Sequence, residues 1–260
     1  MILRLLVLLF FCSFTSTALA VSYQKLPDGR AITVVDSVTA KLEQEKANET
    51  NRKVYLYDRM TGVLILDKPE APEHKVSQLF SFPNLMELFD ETGEQIATVI
   101  GIERKKDKHI LPFGYLRLQY LNEKAQSSGT FLFDRKGALV AVVYAQHEKH
   151  KEQGYASPIQ AALRGYKDFT MNGKVSRSNV GIIISSHSSL PEIISVRPDL
   201  PAAAAGLKKG DILIKVGKYS ISSYLEAVNA FYYLIPDNEE EFTVIRNGEK
   251  KVFRMIPMSR

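Results

Sequence analysis

The sequence predicts a mainly β protein in which a β domain precedes a smaller α+β domain. Three observations support this prediction. Short apolar runs separated by turn residues fill positions 31–144, a spacing typical of a barrel or a sandwich. A polar stretch without periodicity then covers positions 171–178. After it, an alanine-rich turn at 201–206 precedes a Gly-Asp corner and the alternating strand 212–216.

The chain begins with a segment that resembles a secretory signal. Arg4 supplies a positive charge, an apolar stretch follows at 5–14, and Ala18-Leu19-Ala20 has the small residues of a cleavage site. Retention of this stretch as an N-terminal anchor is the alternative, and no later stretch is apolar enough to span a membrane. The sequence therefore divides into a signal peptide (1–20), a β domain (21–170), a linker (171–178) and a second domain (179–260).

Cysteine usage and charge exclude several classes of protein. The single cysteine, Cys12, lies inside the signal, so the remaining chain has no disulfide framework and no cysteine-based metal site. Export without cystines indicates a periplasmic or secreted bacterial protein. The basic runs 104–108 and 149–151 are interpreted as solvated loops and not as a nucleic-acid surface. We expect no cofactor and no nucleic-acid partner.

The pattern of apolar residues also places the individual elements. In the β domain it predicts strands at 53–57, 63–66, 96–102, 115–121, 131–133 and 138–144. Helices are predicted at 37–46 and 158–167, the second with Ser157 as its cap and Pro158 in its first turn. In the second domain it predicts strands at 180–184 and 212–216, a helix at 223–234, and a hairpin at 241–256. The Asn247-Gly248 pair favours a type I′ turn in that hairpin.

The alanine-rich turn and its flanks resemble the core signature of PDZ domains. Gly206 and Gly210 fall where the backbone must turn sharply. The resemblance implies a groove that captures an extended peptide or a chain terminus at a sheet edge. The loop 179–182 would bind a terminal carboxylate through backbone N–H groups. The residues expected to form this groove are Asn179, Val180, Gly181, Ile182, Ile184 and Val228.

A helix of apolar side chains is expected to face the strand across this groove. Leu225, Val228 and Phe231 recur at helical spacing, which by itself is typical of a helix that faces a core. Of the three, we expect Val228 alone to touch the ligand. Because no charged residue stands among Val180, Ile182 and Val228, the ligand is predicted to end in a hydrophobic residue.

The segment 127–142 resembles the nucleophile hairpin of trypsin-fold serine proteases, in particular the HtrA family. Ser128 stands at the nucleophile position and Gly137 at the hairpin turn. The segment 155–158 with its following helix resembles the last strand and helix of that protease domain, and 173–182 resembles the entry into its PDZ domain. The resemblance covers the chain from about residue 53 onward and implies a trypsin-like barrel followed by one PDZ domain.

The catalytic residues of that family are not all matched. A serine nucleophile needs a base and an orienting carboxylate, in the chain order His, Asp, Ser. Gly62 stands at the Asp position, no histidine precedes it, and Gln126 and Thr130 replace two glycines beside the nucleophile. The β domain is also short for two full barrels. We interpret the chain as a truncated, degenerate member in which no residue is expected to be catalytic, although the sequence leaves enzymatic activity open.

Two side-chain groups offer alternatives to this interpretation. His109 or His74 could be recruited as a base, with Asp107 or Glu73 as its partner. The segment 147–150 carries two imidazoles three positions apart, but its composition favours a solvated loop over a metal site.

The sequence thus predicts a non-catalytic, exported protein that binds protein C-termini or extended peptides. One alternative is an active HtrA-like endopeptidase with an unorthodox site. Others are a scaffold component of a secretion machinery and a regulatory subunit that joins active protomers in mixed oligomers. Homo-oligomers and hetero-oligomers are both compatible with the sequence.

Overall fold

The computed structural model describes residues 20–106 and 109–259. Its helices are α1 (Ser37–Glu49), α2 (Ile159–Asn172), α3 (Pro201–Ala205) and α4 (Tyr224–Tyr233). Its first ten strands are β1 (Gln24–Lys25), β2 (Ala31–Val34), β3 (Val54–Asp58), β4 (Val63–Leu66), β5 (Glu87–Phe89), β6 (Gln95–Lys106), β7 (His109–Tyr120), β8 (Phe131–Phe133), β9 (Leu139–Gln146) and β10 (Gln153–Pro158). The others are β11 (Ser178–Asn179), β12 (Ile182–Ile184), β13 (Ile193–Val196), β14 (Ile212–Val216), β15 (Tyr219–Ser220), β16 (Glu240–Arg246), β17 (Glu249–Met255) and β18 (Met258–Ser259).

The first part of the chain forms a four-stranded antiparallel sheet in the order β1-β2-β4-β3. Helix α1 follows β2 directly. The Asp36 carboxylate caps its N-terminus by accepting hydrogen bonds from the N–H groups of Val38 and Thr39. Strands β2 and β4 are buried along their whole length. They share an apolar core with β8, β9 and α2, so this sheet packs onto the barrel that follows.

The next six strands close into a barrel in the order β10-β7-β6-β5-β8-β9. Its interior is filled by fully buried apolar side chains, among them Leu88, Ile96, Leu118 and Leu132. The long β6–β7 hairpin corrects one sequence-based interpretation. The basic residues 104–106 are not a solvated loop, because they extend β6 and pair with β7, Lys105 opposite Ile110.

The second domain is α+β. A four-stranded sheet in the order β15-β14-β16-β17 and the pair β12-β13 enclose an apolar core together with α4. Helix α3 is one short turn and ends at Gly206. The predicted type I′ hairpin fits the backbone, because Asn247 and Gly248 have φ values of 54° and 79°. The mainly β fold class, a barrel followed by an α+β domain, is confirmed.

Helix α2 and the segment after it depart from the sequence prediction. Ser157 does not cap α2, since the N-cap residue is Pro158 and makes no side-chain hydrogen bond. The helix also continues to Asn172, where Gly173 ends it in the left-handed conformation. The first two residues of the predicted linker are therefore helical.

The remainder of that linker is held by two buried charges on α2. The Arg164 guanidinium donates to the carbonyls of Ser176, at 2.7 Å, and Leu234, at 2.8 Å. The Asp168 carboxylate accepts from the Ser176 N–H and lies 3.6 Å from Arg164. Ser176 is only 2 % exposed. This segment is therefore anchored to both domains.

The barrel and the second domain contact each other along the β6–β7 hairpin and α4. The Gly114 N–H donates to Asn229 Oδ1 at 2.7 Å, and the Phe113 and Tyr232 rings lie 4.4 Å apart. Phe80, in the loop before β5, makes edge contacts with Tyr219 and Tyr233, each at 5.3 Å. Across the described residues, no helix is long and apolar enough to cross a membrane.

Candidate functional site

Ser128, the residue at the nucleophile position, lies in the loop before β8 with its hydroxyl in two hydrogen bonds. The hydroxyl donates to the carbonyl of Tyr144 at 2.8 Å and accepts from the N–H of Asp36 at 2.9 Å. Both partners are backbone groups. A serine nucleophile must instead give its proton to a base such as an imidazole. In this geometry the Ser128 hydroxyl joins β9 to the start of α1.

Gly62, the residue at the Asp position, lies close to the same point. Its φ is +75°, and a Cβ atom built there would lie 2.6 Å from the Val35 carbonyl oxygen and 2.7 Å from the Tyr144 ring. Burial raises the pKa of the Tyr144 phenol, and the carboxylates of Asp36 and Asp58 raise it further. A side chain at position 62 would therefore clash with the Tyr144 ring and the Val35 carbonyl.

The other residues considered for catalysis are placed elsewhere or lie outside the described part. The His74 ring lies against Phe131 and Phe133, at 5.7 and 5.1 Å between centroids. Gln126 ends a 3₁₀ turn and its side-chain oxygen accepts from Gln146. Asp107 and the His109 side chain lie outside the described residues.

The two histidines of the 147–150 segment stabilise their own loop. His147 Nδ1 accepts from the N–H groups of Lys149 and His150, each at 3.1 Å. The His150 ring lies 3.5 Å from a Glu152 carboxylate oxygen. Over residues 20–106 and 109–259, three or more metal-ligating side chains do not converge anywhere.

The predicted peptide-binding residues converge on one groove of about 320 Å³ in the second domain. Its lining includes all six: Asn179, Val180, Gly181, Ile182, Ile184 and Val228. One wall is β12 and the facing wall is α4. Strand β12 pairs with β13 on one side only, and no strand of the described chain pairs with its other edge. That edge offers the backbone groups to which an extended peptide can add as a further strand.

The loop that leads into β12 closes one end of the groove. Gly181 has a φ of +86°, and a Cβ built on it would lie 2.4 Å from Leu200 Cβ, so only glycine fits. Its N–H donates to Asn179 Oδ1 at 3.0 Å. A carboxylate that binds this N–H must therefore displace the Asn179 side chain. The Ser178 hydroxyl donates to Leu234, which places the loop at the C-terminal end of α4.

The orientation of α4 differs from the sequence expectation in one respect. Val228 lines the groove, but so does Phe231, so Val228 is not the only residue of the apolar stripe that is available to a ligand. Leu225 instead points toward Gly114 of the barrel. The face of α4 that enters the domain core carries Ala227 and Ala230, because small side chains allow the helix to lie close to the sheet.

Eight residues besides the six predicted ones also line the groove. They are Arg104, Pro112, Arg177, Ser178, Ile183, Tyr224, Phe231 and Tyr232. Two of them, Arg104 and Pro112, belong to the barrel. No local sequence pattern relates them to the loop 179–182, which follows some 70 positions later. Tyr224, Phe231 and Tyr232 lie within the helix that was predicted at 223–234 to face the strand, and Ile183 lies within the strand predicted at 180–184.

Comparison with known proteins confirms the second domain and the fold of the whole chain. Residues 178–255 match the family model described as "PDZ domain". The chain is 27 % identical over 140 residues to a probable periplasmic serine endoprotease, DegP-like, from Halomonas elongata. It is 30 % identical over 113 residues to the serine protease Do-like HtrA of Lactococcus lactis subsp. lactis. The chain is thus HtrA-like and carries a PDZ domain.

These alignments cover only part of each protein. They span 48 % and 37 % of this chain, but 30 % and 28 % of the two relatives. The solved structure named as the HtrA-type protease AlgW with tripeptide superposes with a TM-score of 0.57 at 17 % identity. That superposition covers 91 % of this chain and 88 % of the other. It confirms a trypsin-like barrel joined to a PDZ domain.

Proposed function

We propose that this HtrA-like chain captures exposed C-termini or extended segments of other proteins in its PDZ groove, and that it does so without hydrolysing them. The observation that carries the proposal is the unpaired edge of β12, which lies between the Gly181 loop and the apolar side of α4. A peptide that adds to this edge gains main-chain hydrogen bonds, and the side-chain pocket selects its sequence. The barrel (21–170) and the PDZ part (179–260), joined by 171–178, act as one binding unit.

The walls of the groove favour a hydrophobic last residue in the ligand. Ile182, Val228 and Phe231 contribute apolar surface where the side chain of that residue would lie. Burying one aliphatic side chain stabilises a complex by about 1.5–3 kcal/mol. The backbone N–H groups of the loop 180–182 supply a site for the terminal carboxylate. The AlgW structure that superposes on this chain is named as a complex with a tripeptide, which fits the same mode.

The absence of hydrolysis is inferred from the contacts of Ser128. Its hydroxyl is bound to backbone groups on both sides, and the ring of Tyr144 fills the space beside Gly62. Without a base and an orienting carboxylate, serine proteases lose several orders of magnitude in rate. We therefore assign Ser128 a structural role, which is to connect Tyr144 with Asp36.

Export is part of the proposal. Residues 1–20 have the pattern of a signal peptide, and the relative from Halomonas elongata is named periplasmic. The partners would then be proteins of the bacterial envelope. A regulatory role in mixed oligomers with active protomers, or a scaffold role, would use the same groove.

A pair of glutamate variants tests the groove. A peptide with a hydrophobic C-terminus should bind residues 21–260, and Val228→Glu should weaken binding by about a hundredfold, because it buries a carboxylate against the apolar ligand side chain. Val252→Glu is the matched control, since Val252 is 53 % exposed on β17 outside the groove. Equal affinities of the two variants, both folded by circular dichroism, would place the binding site elsewhere.

An active endopeptidase is the second candidate, and the names of the two curated relatives favour it. A serine-directed fluorophosphonate probe separates the candidates. We expect no labelling of Ser128 and no turnover of unfolded casein, because among the described residues only backbone groups bond to this hydroxyl. Stoichiometric labelling that is lost in Ser128→Ala would establish the endopeptidase instead.

A further inference from the structure

A second cavity lies at the junction between the barrel and the PDZ domain. Its volume is about 450 Å³, which is within the range of sites that hold small organic ligands. Helix α2 of the barrel forms one wall, and the β14–β15 turn with the end of α4 forms the facing wall. The cavity and the peptide groove share no lining residue. A molecule bound here would therefore leave the groove open.

Aromatic rings form the apolar part of this junction cavity. Phe80, Tyr219 and Tyr233 all line it, and the centroids of their rings lie 5.3 to 5.4 Å from one another. Leu163 of α2 and the buried Ile235 add aliphatic surface. Together these side chains offer an apolar wall to a ligand body about the size of one aromatic ring.

Two lysines bring positive charge to the same cavity. The Lys218 ammonium lies 4.4 Å from the centre of the Phe80 ring and 5.4 Å from that of Tyr219, so the ring faces hold it at the cavity. Lys167 lines the cavity from α2 and is exposed. Within the described chain, neither ammonium has a carboxylate within 4 Å. Both charges are therefore available to a ligand.

The other charged groups of the lining do not cancel these two. Arg164 is already compensated by Asp168, which lies 3.6 Å away. Among the described lining residues Glu240 is the one carboxylate, and a Cβ built on Gly217 would lie 2.6 Å from its Oε2. It therefore flanks the turn that carries Lys218. Two lysines against one glutamate leave an excess of one positive charge, which favours a monoanion.

The hydroxyls of Tyr219 and Tyr233 have no hydrogen-bond partner within the described chain. Burial raises the pKa of Tyr219 to about 12, with a further contribution from the Glu240 carboxylate. Burial also raises the pKa of Tyr233. Both phenols therefore stay protonated at neutral pH and can donate to a ligand oxygen.

We propose that this cavity binds a small aromatic monocarboxylate. The ring of the ligand would lie against the apolar wall, and its carboxylate would be held by Lys167, Lys218 and a tyrosine hydroxyl. Lys167 belongs to the barrel and Lys218 to the PDZ domain, so the site is complete only while the two domains are in contact. It does not depend on the proposed capture of C-termini.

Three small probes test the two halves of the site. In a chemical-shift titration of ¹⁵N-labelled residues 21–260, 4-phenylbutyrate should bind and shift the amide signals of residues 217–219. The alcohol 4-phenylbutan-1-ol has the same ring and chain without the charge, and it should bind about fivefold more weakly. Butyrate has the charge without the ring, and it should bind at least about tenfold more weakly.

Variants of opposite sign assign the charge effect. Lys218→Gln should weaken the binding of 4-phenylbutyrate by up to about fivefold, whereas Glu240→Gln should tighten it by about twofold, because it removes a like charge. Lys209→Gln is the matched control and should change nothing, since Lys209 is an exposed lysine of the same domain that does not line the cavity. Tighter binding by Glu240→Gln cannot arise from loss of folding, so the proposal stays testable if Lys218→Gln is unstable.

The PDZ groove is the rival site for this probe, since 4-phenylbutyrate resembles a hydrophobic chain terminus. Val228→Glu alters the groove and should leave the binding of 4-phenylbutyrate unchanged. Loss of binding in Val228→Glu, or shifts confined to the loop 179–182, would overturn the junction site. Equal affinities for 4-phenylbutyrate and its alcohol would also overturn it. None of these outcomes bears against the capture of C-termini, which peptides test separately.

Discussion

The hydroxyl of Ser128 connects two backbone segments that are far apart in sequence. Its partners are Asp36, 92 positions earlier, and Tyr144, 16 positions later. The Tyr144 ring also lies against Gly62. The motif around Ser128 could be found in the sequence because it is local. The hydrogen-bond partners of its hydroxyl could not be predicted from the sequence, because they come together only when α1, β4 and β9 pack against one another.

Gly62→Ala tests whether the Tyr144 ring leaves room for a side chain at position 62. The variant combines left-handed strain with contacts of 2.6 and 2.7 Å to Val35 and Tyr144, and we expect it to lower the free energy of unfolding by about 3 kcal/mol. Denaturant unfolding followed by circular dichroism measures this change.

Gly137→Ala is the matched control for that measurement. Gly137 has a similar φ of +72°, but a Cβ there would have no atom within 4 Å. Its substitution should cost about 1 kcal/mol, from backbone strain alone. Equal costs at the two positions would mean that a side chain fits at position 62 beside Tyr144.

At the scale of elements, the sequence pattern predicted strands and helices well where an apolar period was present. Strands β4, β8 and β14 have the predicted bounds. The pattern failed at the end of α2, where the buried Asp168, paired with Arg164, accepts a hydrogen bond from the Asn172 side chain. A buried ion pair leaves no apolar signal in the sequence, so the end of the helix and the anchored linker could not be predicted.

Asp168→Asn tests whether this ion pair holds the linker. The variant leaves Arg164 buried without a counter-charge, and loss of one partner of a buried pair costs about 3 kcal/mol. We expect it to lower the free energy of unfolding by that amount and to open the segment 173–177 to limited proteolysis. Mass spectrometry of the first fragments locates the cut.

Asp199→Asn serves as the control, because its carboxylate and its partner Arg197 are exposed. Exposed ion pairs contribute little, so this variant should unfold like the parent chain. If the protease cleaves the parent chain within residues 173–177 as fast as it cleaves Asp168→Asn, the ion pair does not protect the linker.

At the scale of the whole molecule, residues of both domains line one groove. Arg104 and Gly114 of the β6–β7 hairpin bond to Tyr224 and Asn229 of α4, which lie 120 and 115 positions away in sequence. The PDZ domain could be predicted from the sequence because its motif is local. The packing of the β6–β7 hairpin onto α4 is a long-range contact that no local pattern indicates. For this reason the basic residues 104–106 were interpreted as a solvated loop.

The most direct test of C-terminal capture is the affinity of residues 21–260 for one decapeptide with a hydrophobic last residue, prepared as the free acid and as the C-terminal amide. Amidation removes the charge that the N–H groups of the loop 180–182 would hold. We predict that the free acid binds at least about tenfold more tightly, which corresponds to about 1.4 kcal/mol. Equal affinities would contradict capture of the chain terminus and would indicate that the groove binds an internal segment.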